Sequence, residues 1–405
     1  MSYIGKTPTP SPLTSSDIAD NIITSAKIVD GAIVTADIAD ANVTAAKLAS
    51  GTVQNQSAFK NIIINGDMNI AQRATSASSL TGNGYHTVDR FQTVISSIGT
   101  WTQTQSTDVP TGQGFAKSLK MDCTTADASP ASGDNMYVRQ EVEGQNLQYL
   151  KKGTSSAEST TLSFWVKSNK TGTYIAELLD FDNSRQISQS YTISSANTWE
   201  KKTLTFAGDT TGAFDNDNAQ SLMVAFWLGA GSDFTSGTLS TSWTSTTNAN
   251  RAVGQVNLAD STSNEWYVTG VQLEAGTSAS DFEYLPVDVN LERCMRYYEQ
   301  SSSFGSTSQY HGQQVVFGSG GATFSASTSA AGGRQFRCWK RATPTVTLYH
   351  QDGTSGALYT IYNAAKVTGV VAQHLNENGF LFANKSAAFG QGLGYYYSFT
   401  ADAEL

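Results

Sequence analysis

The sequence predicts a mainly β protein: a short N-terminal repeat shaft, a jelly-roll-like β-sandwich, a linker helix and a β-rich C-terminal tip domain. Three observations lead there. Only 15% of the 405 residues are charged, while 17 Tyr, 18 Phe, 7 Trp and 35 Gly stand among abundant Ser, Thr, Asn and Gln. That balance fits short strands joined by turn-rich loops. Short apolar runs alternate with polar residues between Gly, Asn and Ser clusters, and residues 16–53 repeat with a period of five. The length allows two or three domains, with boundaries read at 1–15, 16–55, 56–286, 287–300 and 301–405.

In residues 1–15, Pro8, Pro10 and Pro12 alternate with small polar residues, a composition that favours an extended segment. It reads either as a disordered tail or as a docking peptide, with Tyr3 and Ile4 as anchors and Gly5 admitting close backbone approach. The repeat then places Ile18, Ile23, Ile28, Ile33, Ile38, Val43, Leu48 and Val53 at every fifth position. At about 100° per residue, a helix would set successive apolar positions roughly 140° apart, sharing no face. An odd period also breaks strand alternation. The chain must turn inside each unit and bury its apolar residue by stacking on neighbours. A single-chain pentapeptide-like coil satisfies this, and so does a thin shaft of several chains whose eight apolar residues meet on a symmetry axis. The shortness of the repeat favours the shaft.

Beyond it, FKNIIINGDMNIAQRA (59–74) reads as a buried strand, Ile62 to Ile64, with a hairpin turn at Asn65-Gly66. Strands follow at 85–94, 118–123, 136–144, 161–168, 173–181, 199–206, 221–229 and 265–276. In 161–168, Leu162, Phe164 and Val166 form a core face against Ser163, Trp165 and Lys167. The uneven but repeated punctuation fits a sandwich or jelly roll. Residues 287–300 change character: Leu291, Met295 and Tyr298 fall at helical spacing, Asp288 or Asn290 offers a cap, and Glu292 with Arg296 makes an i, i+4 pair. Strands return at 313–319, 323–327, 335–340, 345–350, 357–363, 379–384 and 395–405.

The chemistry is sparse. A net charge of −9 argues against a nucleic-acid partner. No run of about 18 apolar residues is present to cross a membrane, so no membrane insertion is expected. The three cysteines and four histidines lack metal-ligand spacing. Asp-Asn loops at 180–183 and 215–218 read as solvated turns or as a structural calcium site. Glu141 with Glu143, or Glu177 with Asp180, are the acid pairs available for glycoside hydrolysis. Neither pair demands an enzyme, and no catalytic residue, cofactor or metal is assigned. Aromatic residues are the better lead, because sugar recognition uses flat ring faces bordered by amides and hydroxyls. Trp101, Trp243 and Trp339 stand in polar surroundings, whereas Trp165, Trp227 and Trp266 lie inside strands and are expected in the core. Trp101 and Trp243 are the candidate glycan contacts.

Several stretches resemble tail fibre proteins of tailed bacteriophages: MSYIGKTPT at the start, the repeat after it, NIIINGDMNIAQR with YHTVDRF (61–91), residues 265–300, and YYYSFTADAEL at the end. Residues 161–180 and 199–206 look like parts of a carbohydrate-binding β-sandwich. The resemblance implies a homotrimeric, non-enzymatic fibre of the virion, made in the host cytoplasm. Its N-terminus, through Tyr3, Ile4 and Gly5, would dock on a tail or adaptor protein, and its distal domains would meet a host surface receptor, a glycan. A glycan-degrading fibre and a purely structural spacer are the alternatives.

Overall fold

The computed structural model describes residues 59–303, 315–316, 330–360, 365–384 and 394–405, together with 24, 28 and 29. The chain divides into two compact units, Met1–Ser57 and Ala58–Leu405. Tyr3, Ile4 and Gly5 lie outside the described residues, as do the apolar repeat positions except Ile28, which is 43% exposed in the single chain.

Among the described residues of the second unit, twelve strands form two six-stranded sheets, mainly β as expected. The first has the order β1 (Ser76–Leu80), β3 (Thr100–Ser106), β4 (Ser118–Thr125), β12 (Glu265–Ala275), β6 (Thr160–Ser168), β9 (Glu200–Phe206). The second runs β11 (Thr244–Ser245), β8 (Arg185–Ile193), β7 (Gly172–Asp180), β10 (Gln220–Ala230), β5 (Asn135–Glu143), β2 (Gln92–Ser96). All of these pairings are antiparallel. Leu162, Phe164 and Val166 of β6 share one core with Tyr174, Ala176 and Leu178 of β7 and with Leu222, Val224, Phe226 and Leu228 of β10. Edge-to-face rings, Phe164 against Tyr191 and against Phe226, fill its middle.

β12 changes its inward parity halfway. Trp266 and Val268 face the core, and after a register shift between Thr269 and Gln272 the inward residues are Val271 and Leu273. The shift turns on Gly270, at φ +62°, where a Cβ would come within 2.5 Å of the Phe115 ring. Past it, β12 leaves β4 and takes the opening segment instead: Ile62 N–H donates to Leu273 O (2.9 Å) and Val271 N–H to Gly66 O (2.9 Å).

That opening segment corrects one expectation. Ile62, Ile63 and Ile64 are buried, but they run from irregular backbone into a turn at 64–67, without a strand or hairpin. Side chains replace the ladder: Asn61 Oδ1 accepts from Ile63 N–H, and the Gln140 amide bonds both N–H and C=O of Ile64 at 2.7 and 2.9 Å. Asn65, at φ 61°, donates to the carbonyls of Ile70 and Asp89. Residues 85–91 are likewise irregular, with a turn at Asp89 and Arg90, and of 85–94 only the part from Gln92 is strand, within Gln92–Ser96.

Helix α1 (Ser232–Thr235) caps the outer face of β10. Helix α2 (Val287–Met295) is shorter than the 287–300 expected, because Tyr298 already belongs to strand β13 (Tyr298–Gln300). Pro286 occupies its N-cap without a side-chain bond, and Asn290 instead accepts from Asn65 N–H and donates to Asp67. Arg296 pairs with Glu143 of β5 rather than with Glu292: Nε and Nη2 reach its two oxygens at 2.7 and 2.6 Å. Beyond α2, β13 joins β22 (Ser398–Asp402) and β16 (Thr345–Tyr349). The other C-terminal strands form two small sheets. One contains β14 (Val315–Val316), β21 (Gly394–Tyr396), β17 (Ala357–Thr360) and β18 (Lys366–Thr368). The other contains β15 (Ala330–Gln335), β20 (Gly379–Asn384) and β19 (Val370–Asn376). A second core of Phe336, Leu348, Phe380, Phe382 and Phe399 lies among them.

A polar hub joins these parts. Arg90, 1% exposed, stacks its guanidinium 3.4 Å from the Tyr297 ring centroid, pairs with Glu404 and donates to Glu141 O (2.7 Å). Arg73 reaches Asp402 (3.0 Å) and Glu404 (3.3 Å), and Tyr297 Oη donates to Glu143 (2.5 Å). Burial alone would push the Glu143 carboxyl up, but the Arg296 and Tyr297 hydrogen bonds outweigh it and hold Glu143 below the usual glutamate value.

Removing one member of a buried pair leaves an uncompensated charge, so Arg90→Ala should lose roughly 3–5 kcal/mol in denaturant unfolding. A carboxylate with a depressed folded value contributes stability above its unfolded value of 4.5, lost as the pH falls through the folded value. Glu143→Gln should therefore flatten the acid limb of a stability–pH profile below pH 4.5 relative to the parent chain.

Candidate functional site

At one end of the sandwich a cleft of about 600 Å³ opens between the opening segment, the end of β5, two 3₁₀ turns and α2. The turns, Gly144–Asn146 and Gln148–Leu150, follow β5 directly. Leu147 and Leu150 are buried at their three-residue spacing, which turns Gln145, Asn146 and Tyr149 outward. The 215–218 loop clamps them: Gln145 N–H donates to Asp217 O, and a Cβ on Gly144 would lie 2.0 Å from Asp215 O. Tyr149 is 48% exposed on this rim.

The opposite rim carries Phe59, 59% exposed. Glu283 fixes it by accepting hydrogen bonds from Phe59 N–H and, at 2.9 Å, from Asn61 N–H. Arg293, Arg296 and Tyr297 project from α2 and the residues after it, and Gln140, Glu141 and Val142 from β5. Arg296 is held by Glu143, which also accepts from Gln145 Nε2 at 2.6 Å. Glu141 is 1% exposed and lies 3.0 Å from Arg139; burial pushes its carboxyl above the usual glutamate value. Two exposed rings facing amide, hydroxyl and guanidinium groups can stack on a sugar face and hydrogen-bond its rim.

The tryptophans singled out in the sequence sit elsewhere. Trp101 is fully buried in β3, its indole N–H donating to Ile98 O at 2.8 Å, so it cannot touch a glycan. Its polar neighbours mislead because Gln103, equally buried, is satisfied internally by Thr87 and Thr93. Trp243 is half-buried, donates to Ala207 O (2.7 Å) and lies 5.5 Å over the Lys152 ammonium. It roofs a buried cluster in which Lys152 meets Asp180 (2.5 Å) and Asp209 (3.2 Å), and it lines a small pocket with Phe214 and Leu222, apart from the cleft. Trp227 and Trp266 are core as expected, Trp165 is half-buried on the outer face of β6, and Trp339 is 67% exposed on a C-terminal turn.

The acid pairs are spent in the same way. Glu177 receives Arg251 at 2.8 and 3.0 Å and the Trp227 indole at 3.0 Å, and Asp180 receives Lys152 and Asn183. In the acidic loops, Asp182 accepts from Asp215 N–H and Asp217 from Ala219 N–H. Among the described residues no group of three or more His, Cys, Asp or Glu is placed to hold a metal. Phe59, Tyr149 and Arg293 escaped the sequence reading, which weighed tryptophans alone.

No family model matches the chain, and no curated protein does. Solved structures match over about half of the chain. The enzymatically active domain of tailspike protein 4 from bacteriophage CBA120 aligns over 54% of this chain and 22% of its own, at 15% identity and a TM-score of 0.29. The N-terminal cellulose-binding domain of β-1,4-glucanase C from Cellulomonas fimi aligns over 46% of this chain and 90% of its own, at 14% identity and 0.25. The family 11 carbohydrate-binding module from Clostridium thermocellum, in complex with a β-1,3-1,4-mixed-linked tetrasaccharide, aligns over 51% and 91%, at 11% identity and 0.23. This chain spans less than a quarter of the tailspike domain. Likenesses at this level assign no activity, and the cleft is read from its own geometry.

Tyr149→Ala should leave stability within about 0.5 kcal/mol of the parent, as expected of a surface change. Trp101→Ala should cost roughly 3–5 kcal/mol through its cavity. Thermal and denaturant unfolding of the two variants, side by side, checks the assignment of one ring to the rim and the other to the core.

Proposed function

We propose that this chain is a phage tail fibre protein that adsorbs to a host surface glycan, with the cleft between Phe59 and Tyr149 as its binding site. The observation that carries the glycan reading is the cleft itself. Its volume of about 600 Å³ suits a short saccharide, and two exposed rings line it together with amide and guanidinium groups. The tail-fibre reading rests on the sequence resemblance of residues 1–9, the repeat, and residues 61–91, 265–300 and 395–405. On this reading Tyr3, Ile4 and Gly5 dock on the tail, and three copies bury the apolar positions from Ile18 to Val53 together. Several weak sites on one particle then add by avidity, because each further contact is made within an already tethered complex.

The protein acts without cleaving its ligand. Glu141 is the one carboxylate among the residues lining the cleft, while Glu143 is fully buried and bound by Arg296 and Tyr297. The common retaining and inverting mechanisms use two carboxyl groups flanking the bond.

Sedimentation equilibrium should return three times the chain mass of 43.2 kDa, and a monomer would remove the shaft. The purified protein should retain host surface polysaccharide on a column while releasing no reducing ends from it over hours. Release above the buffer control would replace adsorption by depolymerisation. Tyr149→Ala should weaken that retention by about tenfold, the scale of one lost stacking contact of 1–1.5 kcal/mol.

A further inference from the structure

We propose that the glycan taken by the cleft carries a negatively charged substituent, a carboxylate or a phosphate, and that the Arg293 guanidinium binds it. The inference rests on the cleft reading above and adds the ligand's charge to it.

Charge accounting around the cleft leads to this residue. Arg296 is occupied by both oxygens of Glu143. Glu143 is in turn saturated by Tyr297 and Gln145. Glu141 pairs with Arg139. Arg293 has one hydrogen bond, Nη2 to Asn61 O at a long 3.3 Å, and among the described residues no carboxylate within ion-pair distance. Glu283 acts on it from beyond that distance and spends its oxygens on the Phe59 and Asn61 amides. A guanidinium offers five N–H donors in a planar fork matched to carboxylate and phosphate oxygens. Most of that fork is unused here, on a half-buried cation that burial pulls below the usual arginine value. A cation partly withdrawn from water, with a single long hydrogen bond, gains charge-assisted partners when an anionic ligand group binds. The chain's net charge of −9 excludes diffuse attraction as the source of any anion preference, so such a preference reports the local fork.

The test uses the full chain on an array of bacterial surface polysaccharides. Each is printed native, with its carboxyl groups reduced to alcohols by carbodiimide and borohydride, and with its phosphates removed by hydrogen fluoride. Expected is a native polysaccharide bound about tenfold or more tighter than one of its stripped copies. The stripped form that loses binding tells carboxylate from phosphate. Arg293→Gln should abolish the difference, Arg293→Lys should keep part of it, and Tyr149→Ala should weaken native and stripped forms alike. Equal binding of all three forms, or a preference that survives Arg293→Gln, overturns the charge assignment and leaves the cleft standing. Binding to nothing on the array, or binding indifferent to Tyr149→Ala, overturns the cleft reading. Should Arg293→Gln fail to fold, the ratio of native to stripped binding by the parent chain still decides.

Discussion

The buried Arg90 guanidinium is the constraint on which the second unit depends. A cation removed from water needs a counter-charge and hydrogen bonds close by. Here the partners come from far along the chain: the Tyr297 ring below it, Glu404 beside it and the Glu141 carbonyl at its end. None of them can leave without exposing the charge to an apolar surround. The turn that leads into β2, the connector after α2 and the chain's last residues are therefore fixed in one step. Arg73, between Asp402 and Glu404 and stacked 3.6 Å from the Tyr298 ring centroid, repeats the arrangement next to it. What reads in sequence as a linker between domains is the point where they lock.

The cleft is a by-product of that lock. Tyr297 and Arg296 both bind Glu143, which fixes the angle at which α2 leaves the sandwich and sets Arg293 against the end of β5. The opening segment arrives from the other side, held by Gln140 and Glu283. Rigid supports on every side suit recognition, since a preformed site spends little free energy on ordering itself.

How much of this was legible varied with the physics of each element. β6 and β10 announce themselves, because Leu162, Phe164 and Val166, or Leu222, Val224 and Phe226, are apolar at strand spacing. β3 does not. Its inward residues are Trp101 and Gln103, and a buried glutamine reads as surface until its partners Thr87 and Thr93 are seen. The connector kept helical spacing through Tyr298, but pairing with Ser398–Asp402, a hundred residues on, ended the helix at Met295. The opening isoleucines read as buried, yet the backbone of Ile63 and Ile64 is satisfied by amide side chains, which leave no period to read. The candidate site was hidden for a related reason. Phe59, Tyr149 and Arg293 meet only in the folded chain, and nothing local marks any of them.

The parity change in β12 bears on how such a chain can vary. Before Gly270 its even-numbered residues build the core, and after it the odd-numbered ones do. One residue gained or lost there would turn Val271 and Leu273 to solvent, unseat Ile62 and pull the opening segment off the sheet. Length changes should be tolerated instead at exposed connections such as 194–198, where the flanking strands hold the ends close whatever lies between. Lineages that diversify this protein must then keep the spacing from Trp266 to Leu273 constant while their loops drift, so an alignment anchored there would hold when sequence identity elsewhere has faded.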